Sequence, residues 1–246
     1  MKPYIIFAFA IFCLAGCSTN QKTSNKRMSI AVSVMPDFTD KRLLWPTVGP
    51  ILPMFDFKNN ADAEAWLHVR PITDKQYNTD YVVHIPPGSV SELTNTDDPQ
   101  HRNRCVVSFY DSVRQVFEDV YKRFDTTKGY GNSEIFASIC GELQWLQNTH
   151  ATRKTLIIFS NLLENSGIIS AYTSATATNV PAIIQKFIAA NVLPDHLQGF
   201  RIFIVHASLT MSEDSKYAVM VSVYKQLLES RGAIVTVQAN NQNYMP

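Results

Sequence analysis

Ser29-Ile30-Ala31-Val32-Ser33-Val34-Met35 runs into Pro36-Asp37-Phe38-Thr39-Asp40. The first seven residues are rich in apolar and β-branched types. A proline halts them, and a polar turn with two carboxylates and a hydroxyl follows. This reads as a buried strand that delivers Asp37, Thr39 and Asp40 at its carboxyl end. In open α/β sheets ligands bind outside the carboxyl ends of strands, where the strand order reverses. The stretch therefore marks the expected centre of the sheet and the place to look for a site.

Residues 1–17 precede it as a targeting segment. Lys2 supplies positive charge, Tyr4 to Leu14 an apolar run, and Leu14-Ala15-Gly16-Cys17 the ending. The run is short for a transmembrane helix and suits a signal peptide. The final tetrad resembles the lipobox of bacterial lipoproteins, which implies a lipidated Cys17 as the first mature residue. The alternative is an ordinary secretory signal with a chance cysteine. Each buried methylene of an acyl chain contributes ~0.8 kcal/mol, so several chains hold a protein durably on a membrane. Residues 18–28 are polar and read as a disordered tether. Residues 29–240 carry the domain, and 241–246 form a polar tail.

The chain has 246 residues, 46% of them hydrophobic, which suffices for one domain with a real core. Without Lys2 it balances 21 basic against 21 acidic residues. A neutral chain with no basic run gives no electrostatic reason to expect nucleic acid. Outside the signal only Cys105 and Cys140 remain. Both fall on expected helices and read as free core thiols, with pairing in an oxidising compartment the alternative.

Downstream, Leu43 to Phe57 carries Pro46, Pro50 and Pro53, which exclude a long helix. Strands are expected at Ala65–Thr73 and Thr79–Ile85. The short turn between them makes an antiparallel edge hairpin. A polar loop, Ser89–Asn103, follows. Helices are expected at Arg104–Phe124 and at Ser133–Leu146, the latter with Ser133 as N-cap. Thr155–Phe159 reads as a strand buried on both faces. A Ser/Thr-rich loop then leads to a helix capped by Asn179, with Ile183/Ile184, Phe187/Ile188 and Val192 inward. Phe200–Val205 is a strand and Lys216–Ser230 a helix. Ala233–Val237 is the last strand. Strands alternating with helices after residue 104 predict an α/β fold: a doubly wound, mostly parallel sheet with an antiparallel edge hairpin.

This element order, with the residues at the strand ends, resembles the von Willebrand factor type A fold, a Rossmann-like three-layer sandwich. The resemblance spans roughly residues 29–240. In that family a central strand ends in Asp-x-Ser-x-Ser, a loop supplies a Thr before a helix, and a fourth strand ends in Asp-Gly. Together they bind a divalent ion, usually magnesium, whose shell a partner protein's carboxylate completes. Here the first motif is Asp37-Phe38-Thr39-Asp40-Lys41, with Lys41 where the second hydroxyl belongs. The loop motif is Gly131-Asn132-Ser133. The third is Ser160-Asn161-Leu162, with Asn161 replacing the aspartate and Leu162 the glycine. The resemblance implies magnesium ligands at Asp37, Thr39, Ser133 and Asn161. Magnesium wants octahedral oxygen ligands with carboxylate charge, so the replacements point to a weakened or lost ion site. Asp40 supplies a carboxylate out of register, and His206 ends its strand on the same rim.

The expected function is a lipid-anchored binding module of the bacterial envelope, on its periplasmic or outer face. Its partners are the membrane, through Cys17, and an envelope protein, through the rim of Asp37, Thr39, Asp40, Ser133, Asn161 and His206. Two alternatives stand beside it: a phosphoesterase using Asp37, and a purely structural component of an envelope assembly. Position 39 is Thr, so the acid–base aspartate that a phosphatase of the haloacid-dehalogenase type needs is missing. No phosphate-binding glycine loop or nucleophile elbow occurs either, so an enzyme is not expected. His68 and His84 read as a surface pair on the hairpin, and Trp45, Trp66 and Trp145 as packing residues.

Overall fold

The computed structural model describes residues 28–74, 78–88, 99–126, 130–173, 179–190, 192–207, 210–240 and 244. The expected signal segment, the expected lipidation site Cys17 and the expected tether up to residue 27 lie outside the described residues. So do residues 174–178 of the Ser/Thr-rich loop.

Six strands form one sheet: β1 (Ser29–Pro36), β2 (Glu64–Val69), β3 (Tyr81–Ile85), β4 (Arg153–Phe159), β5 (Phe200–Val205) and β6 (Ile234–Gln238). Their order is β3-β2-β1-β4-β5-β6. All neighbours are parallel except β2 and β3, which are antiparallel. The hairpin thus occupies one edge and β1 lies inside the sheet, fully buried. Chain direction away from the centre reverses between β1 and β4, which makes the gap between their carboxyl ends the switch point.

Among the described residues four helices flank the sheet: α1 (Pro99–Thr126), α2 (Ile135–Asn148), α3 (Val180–Ala189) and α4 (Met211–Glu229). The alternating side chains of β1 feed two cores. Ala31 and Met35 pack with α2, α3 and α4, whereas Ile30, Val32 and Val34 pack with α1 and the proline-rich segment. That segment makes only a 3-10 turn, Leu52–Phe55, and covers its face with side chains instead of a long helix. Trp45 stacks on Phe124 with ring centroids 4.7 Å apart, and Phe55 meets Phe109 edge-on at 4.9 Å.

Several boundaries differ from expectation. α1 starts at Pro99, inside the stretch expected as loop, and α4 starts at Met211, capped by Thr210. β2 ends at Val69, beyond which Ile72 bridges to Asp37. α2 begins after Ser133, which is not its cap. Asn179 does cap α3, accepting the Ala182 N–H. On that helix Phe187 is buried, but Ile188 and, just beyond the helix, Val192 are exposed, because they lie past the edge of the stripe that meets the sheet. Both cysteines are free; Cys140 is buried, while Cys105 is only half-buried beside the α1 core. The tail is not wholly polar in behaviour: Tyr244 is buried, its ring 5.2 Å from Phe203.

Candidate functional site at the switch point

Asp37 is the first residue past β1. Its N–H donates to the Phe159 carbonyl of β4 (2.9 Å), and the next N–H, of Phe38, donates to the Ile72 carbonyl (2.9 Å). The backbone is therefore clamped on one side by β4 and on the other by the segment just beyond β2, which fixes the carboxyl group. Oδ1 accepts from the N–H of Thr39 (2.9 Å) and from its hydroxyl (2.6 Å). Oδ2 accepts from the Ser160 hydroxyl (2.6 Å). The side chain is buried, and that burial raises the pKa against the pull of these hydrogen bonds, with nearby Asp40 raising it further.

Ser160, not Asn161, is the residue that meets Asp37. Ser160 Oγ also accepts the Leu162 N–H (2.9 Å), and Asn161 Oδ1 accepts the Leu163 N–H (3.0 Å). The amide oxygen of Asn161 is thus engaged within its own turn. That turn depends on Leu162, which sits at φ 58° although it is not glycine. The left-handed region costs an L-residue about 1–2 kcal/mol. Complete burial of the leucine side chain offsets this by about 1.5–3 kcal/mol.

Ser133 reaches the same loop by a different route. It forms an antiparallel bridge with Asn165, their N–H groups and carbonyls paired at 3.0 and 3.2 Å. Asn165 also donates its side-chain amide to the Gly131 carbonyl (2.9 Å). Between these partners, Glu164 turns inward and is fully buried. Its Oε2 accepts the Phe136 N–H (2.8 Å), so a carboxylate from the β4 loop meets the first turn of α2. Burial drives its pKa up to about 7, against bonds from Ser166, Phe136 and Ile135.

Asp40 faces outward. It accepts the Arg42 N–H (2.9 Å) and pairs with the Arg42 guanidinium, which holds its pKa low. Lys41 swings away and donates to the Asp125 carbonyl at the end of α1 (2.8 Å). His206, just past β5, is buried with Nε2 3.5 Å from Glu213 Oε1 on α4, its ring edge-on to Tyr217. Burial lowers its pKa, although Glu213, Asp40 and Asp214 pull the other way. Tyr172 stands exposed beside them, with Lys216 Nζ 5.7 Å from its ring. Half of the Tyr172 side chain is shielded from solvent, and that partial desolvation, with the nearby Asp37 and Asp40, raises the pKa of its hydroxyl.

The residues named from sequence thus lie on the rim with unequal roles. Asp37 and Thr39 bond to each other. Asp40 pairs with Arg42. Ser133 and Asn161 are tied into the loop after β4. No three His, Cys, Asp or Glu side chains gather as a metal-ligand group among the described residues.

A second polar cluster lies under the sheet. Glu142 of α2 accepts from Ser33 Oγ (2.6 Å) and meets His68 Nδ1 (2.6 Å), while His68 Nε2 meets Asp80 (3.1 Å). His68 is buried against Trp145, and His84 is partly exposed and stacks on Trp66 at 4.9 Å. The two histidines are not a surface pair, because the hairpin register sets His68 against Val82 and His84 against Trp66. Ser33 and Glu142 were the only sequence signals available: a hydroxyl within a buried strand, and a carboxylate within an apolar helix stripe. Each needed a partner.

Among the described residues no helix is long and apolar enough to cross a membrane. Comparison of the chain with family models and with curated proteins found no match, so the functional argument rests on the fold and the geometry of this rim.

Proposed function

We propose that the chain is a lipid-anchored protein of the bacterial envelope whose domain, a divergent von Willebrand A-like module, binds a partner protein through the rim at the carboxyl ends of β1, β4 and β5. The observation that carries it is the convergence of Asp37, Ser160, the Asp40–Arg42 pair and His206 around the switch point of a parallel sheet. The element order and the edge hairpin agree with the resemblance. A metal-weakened version is favoured because Asp37 has both oxygens taken by hydroxyl and N–H donors and Asn161 has its oxygen taken by Leu163. The exposed parts of the rim, Arg42 and Tyr172, offer an aromatic and a guanidinium, the side chains that dominate protein interfaces.

The test has two arms. Cys17→Ser moves the protein from the membrane fraction to the soluble fraction; retention on the membrane removes the lipid anchor from the proposal. Crosslinking in intact envelopes captures a partner that is lost with Arg42→Glu combined with Tyr172→Ala and retained with Lys122→Glu on α1. Equal capture by all three proteins removes the rim. Calorimetric titration with magnesium gives no heat in the wild type; heat abolished by Asp37→Ala would restore the ion.

A further inference from the structure

His68 of β2 is buried, and each of its ring nitrogens faces a carboxylate. Nδ1 lies 2.6 Å from Glu142 Oε1 on α2, and Nε2 lies 3.1 Å from Oδ2 of Asp80, the residue that leads into β3. A neutral imidazole carries one N–H and one lone pair, so it can donate to one carboxylate only. The other carboxylate would then face the lone pair. Only the imidazolium donates to both.

The charges around the ring suit that form. Glu142 Oε1 also accepts from Ser33 Oγ of β1 (2.6 Å), and Arg70, just past β2, brings Nη1 to 4.0 Å from Glu142 Oε2. The Trp145 ring covers His68 at 4.3 Å. Among the described residues Glu142, Asp80 and Arg70 are thus the charged groups of this cluster, while β1 adds only a hydroxyl. Burial by itself lowers the His68 pKa, but the bonds and charges of Glu142 and Asp80 carry it above its ordinary 6.5.

The two carboxylates differ in what can replace the imidazole. Glu142 is fully buried, whereas the Asp80 side chain is 56% exposed and water can take its oxygens. The two ends of the edge strand β3 differ in the same sense. Past Ile85 the Arg102 guanidinium of α1 donates to the Pro86, Ala61 and Ala63 carbonyls at 2.8, 2.8 and 2.6 Å. Arginine keeps its charge, so that end is held at every pH. The start of β3 is held by Asp80 on His68.

We propose that His68 is a pH-set latch on the edge hairpin: as an imidazolium it ties the start of β3 to α2, and on giving its Nε2 proton to water it keeps Glu142 and releases Asp80. The latch is closed below the ordinary value of 6.5 and opens as pH rises through the higher value of the folded ring. It stands whether or not the rim binds a partner.

The test is amide hydrogen exchange of the full chain in detergent between about pH 6 and about pH 9, corrected for the intrinsic rate, with the nitrogen-15 shifts of the His68 ring followed over the same range. Both ring nitrogens are expected to be protonated at the acid end, with a midpoint above 6.5. Protection at Tyr81–Ile85 is expected to fall about tenfold or more through that midpoint, beyond any change at β4, whose amides report global stability. Asp80→Asn is a surface change that offers a neutral ring both a donor and an acceptor, so its β3 protection is expected to be flat relative to β4. A His68 ring already neutral at the acid end overturns the proposal. So does a fall at β3 no larger than at β4, or one that persists in Asp80→Asn.

Discussion

Ser160 donates its hydroxyl to Asp37 at 2.6 Å, joining the carboxyl ends of the two strands between which the sheet reverses direction. The pair is 123 residues apart in sequence and buried. It is the polar lock of the switch point. The Asp37 Oδ1 atom meanwhile organises the turn toward Thr39 and Asp40.

Ser160→Ala removes that lock and leaves one oxygen of a buried carboxyl group without a donor. It also removes the acceptor for the Leu162 N–H. Hydrogen bonds to charged groups contribute about 1.5–3 kcal/mol, and an orphaned buried group adds to the loss. The expected destabilisation is about 2–4 kcal/mol. It is measured by urea unfolding as a lower midpoint with an unchanged slope. An unchanged midpoint would mean that the contact does not hold the strand ends together.

Glu164 gives the protein a pH dependence of definite sign. Its carboxyl group has an ordinary value of 4.5, raised to about 7 in the fold. The folded chain therefore binds the proton more tightly than the unfolded chain. Stability from this group is greatest below about 4.5, falls as pH rises, and has lost about 3 kcal/mol above about 7. Glu164→Gln keeps an acceptor for the Phe136 N–H without the charge. Unfolding of both proteins across this range should show the slope in the wild type and a flatter profile in the variant, with the variant the more stable near pH 8. Parallel profiles would exclude Glu164 as the titrating group.

Leu162→Gly sets two effects against each other. Glycine relieves a strained left-handed residue, which is worth about 1–2 kcal/mol. It also deletes a fully buried leucine side chain, a loss of about 2–5 kcal/mol once the cavity is included. Burial wins, so the variant is expected to be less stable by about 1–3 kcal/mol. Thermal or urea unfolding decides the sign. A stabilised variant would show that strain dominates and that the packing of this side chain is loose.

The sequence by itself determined the architecture. Apolar runs and three-and-four spacing are local signals, and they placed β1, the edge hairpin, α1, β4 and β5 to within a few residues. The alternation of strand and helix then left little choice of sheet. It also placed Asp37 on the rim, because the end of a buried strand can be read from a proline and a polar turn.

Only the tertiary structure decided which side chains meet there. Ser160 and Asn161 are adjacent, and the left-handed turn at Leu162 directs the first toward Asp37 and the second back on its own loop. The contacts of Glu164 with the first turn of α2, of His68 with Glu142, and of His206 with Glu213 join residues remote or unmatched in local pattern. The physical reason is one of range. Periodicity reports which face a residue occupies, whereas a hydrogen bond depends on a few tenths of an ångström between segments that the rest of the fold brings together.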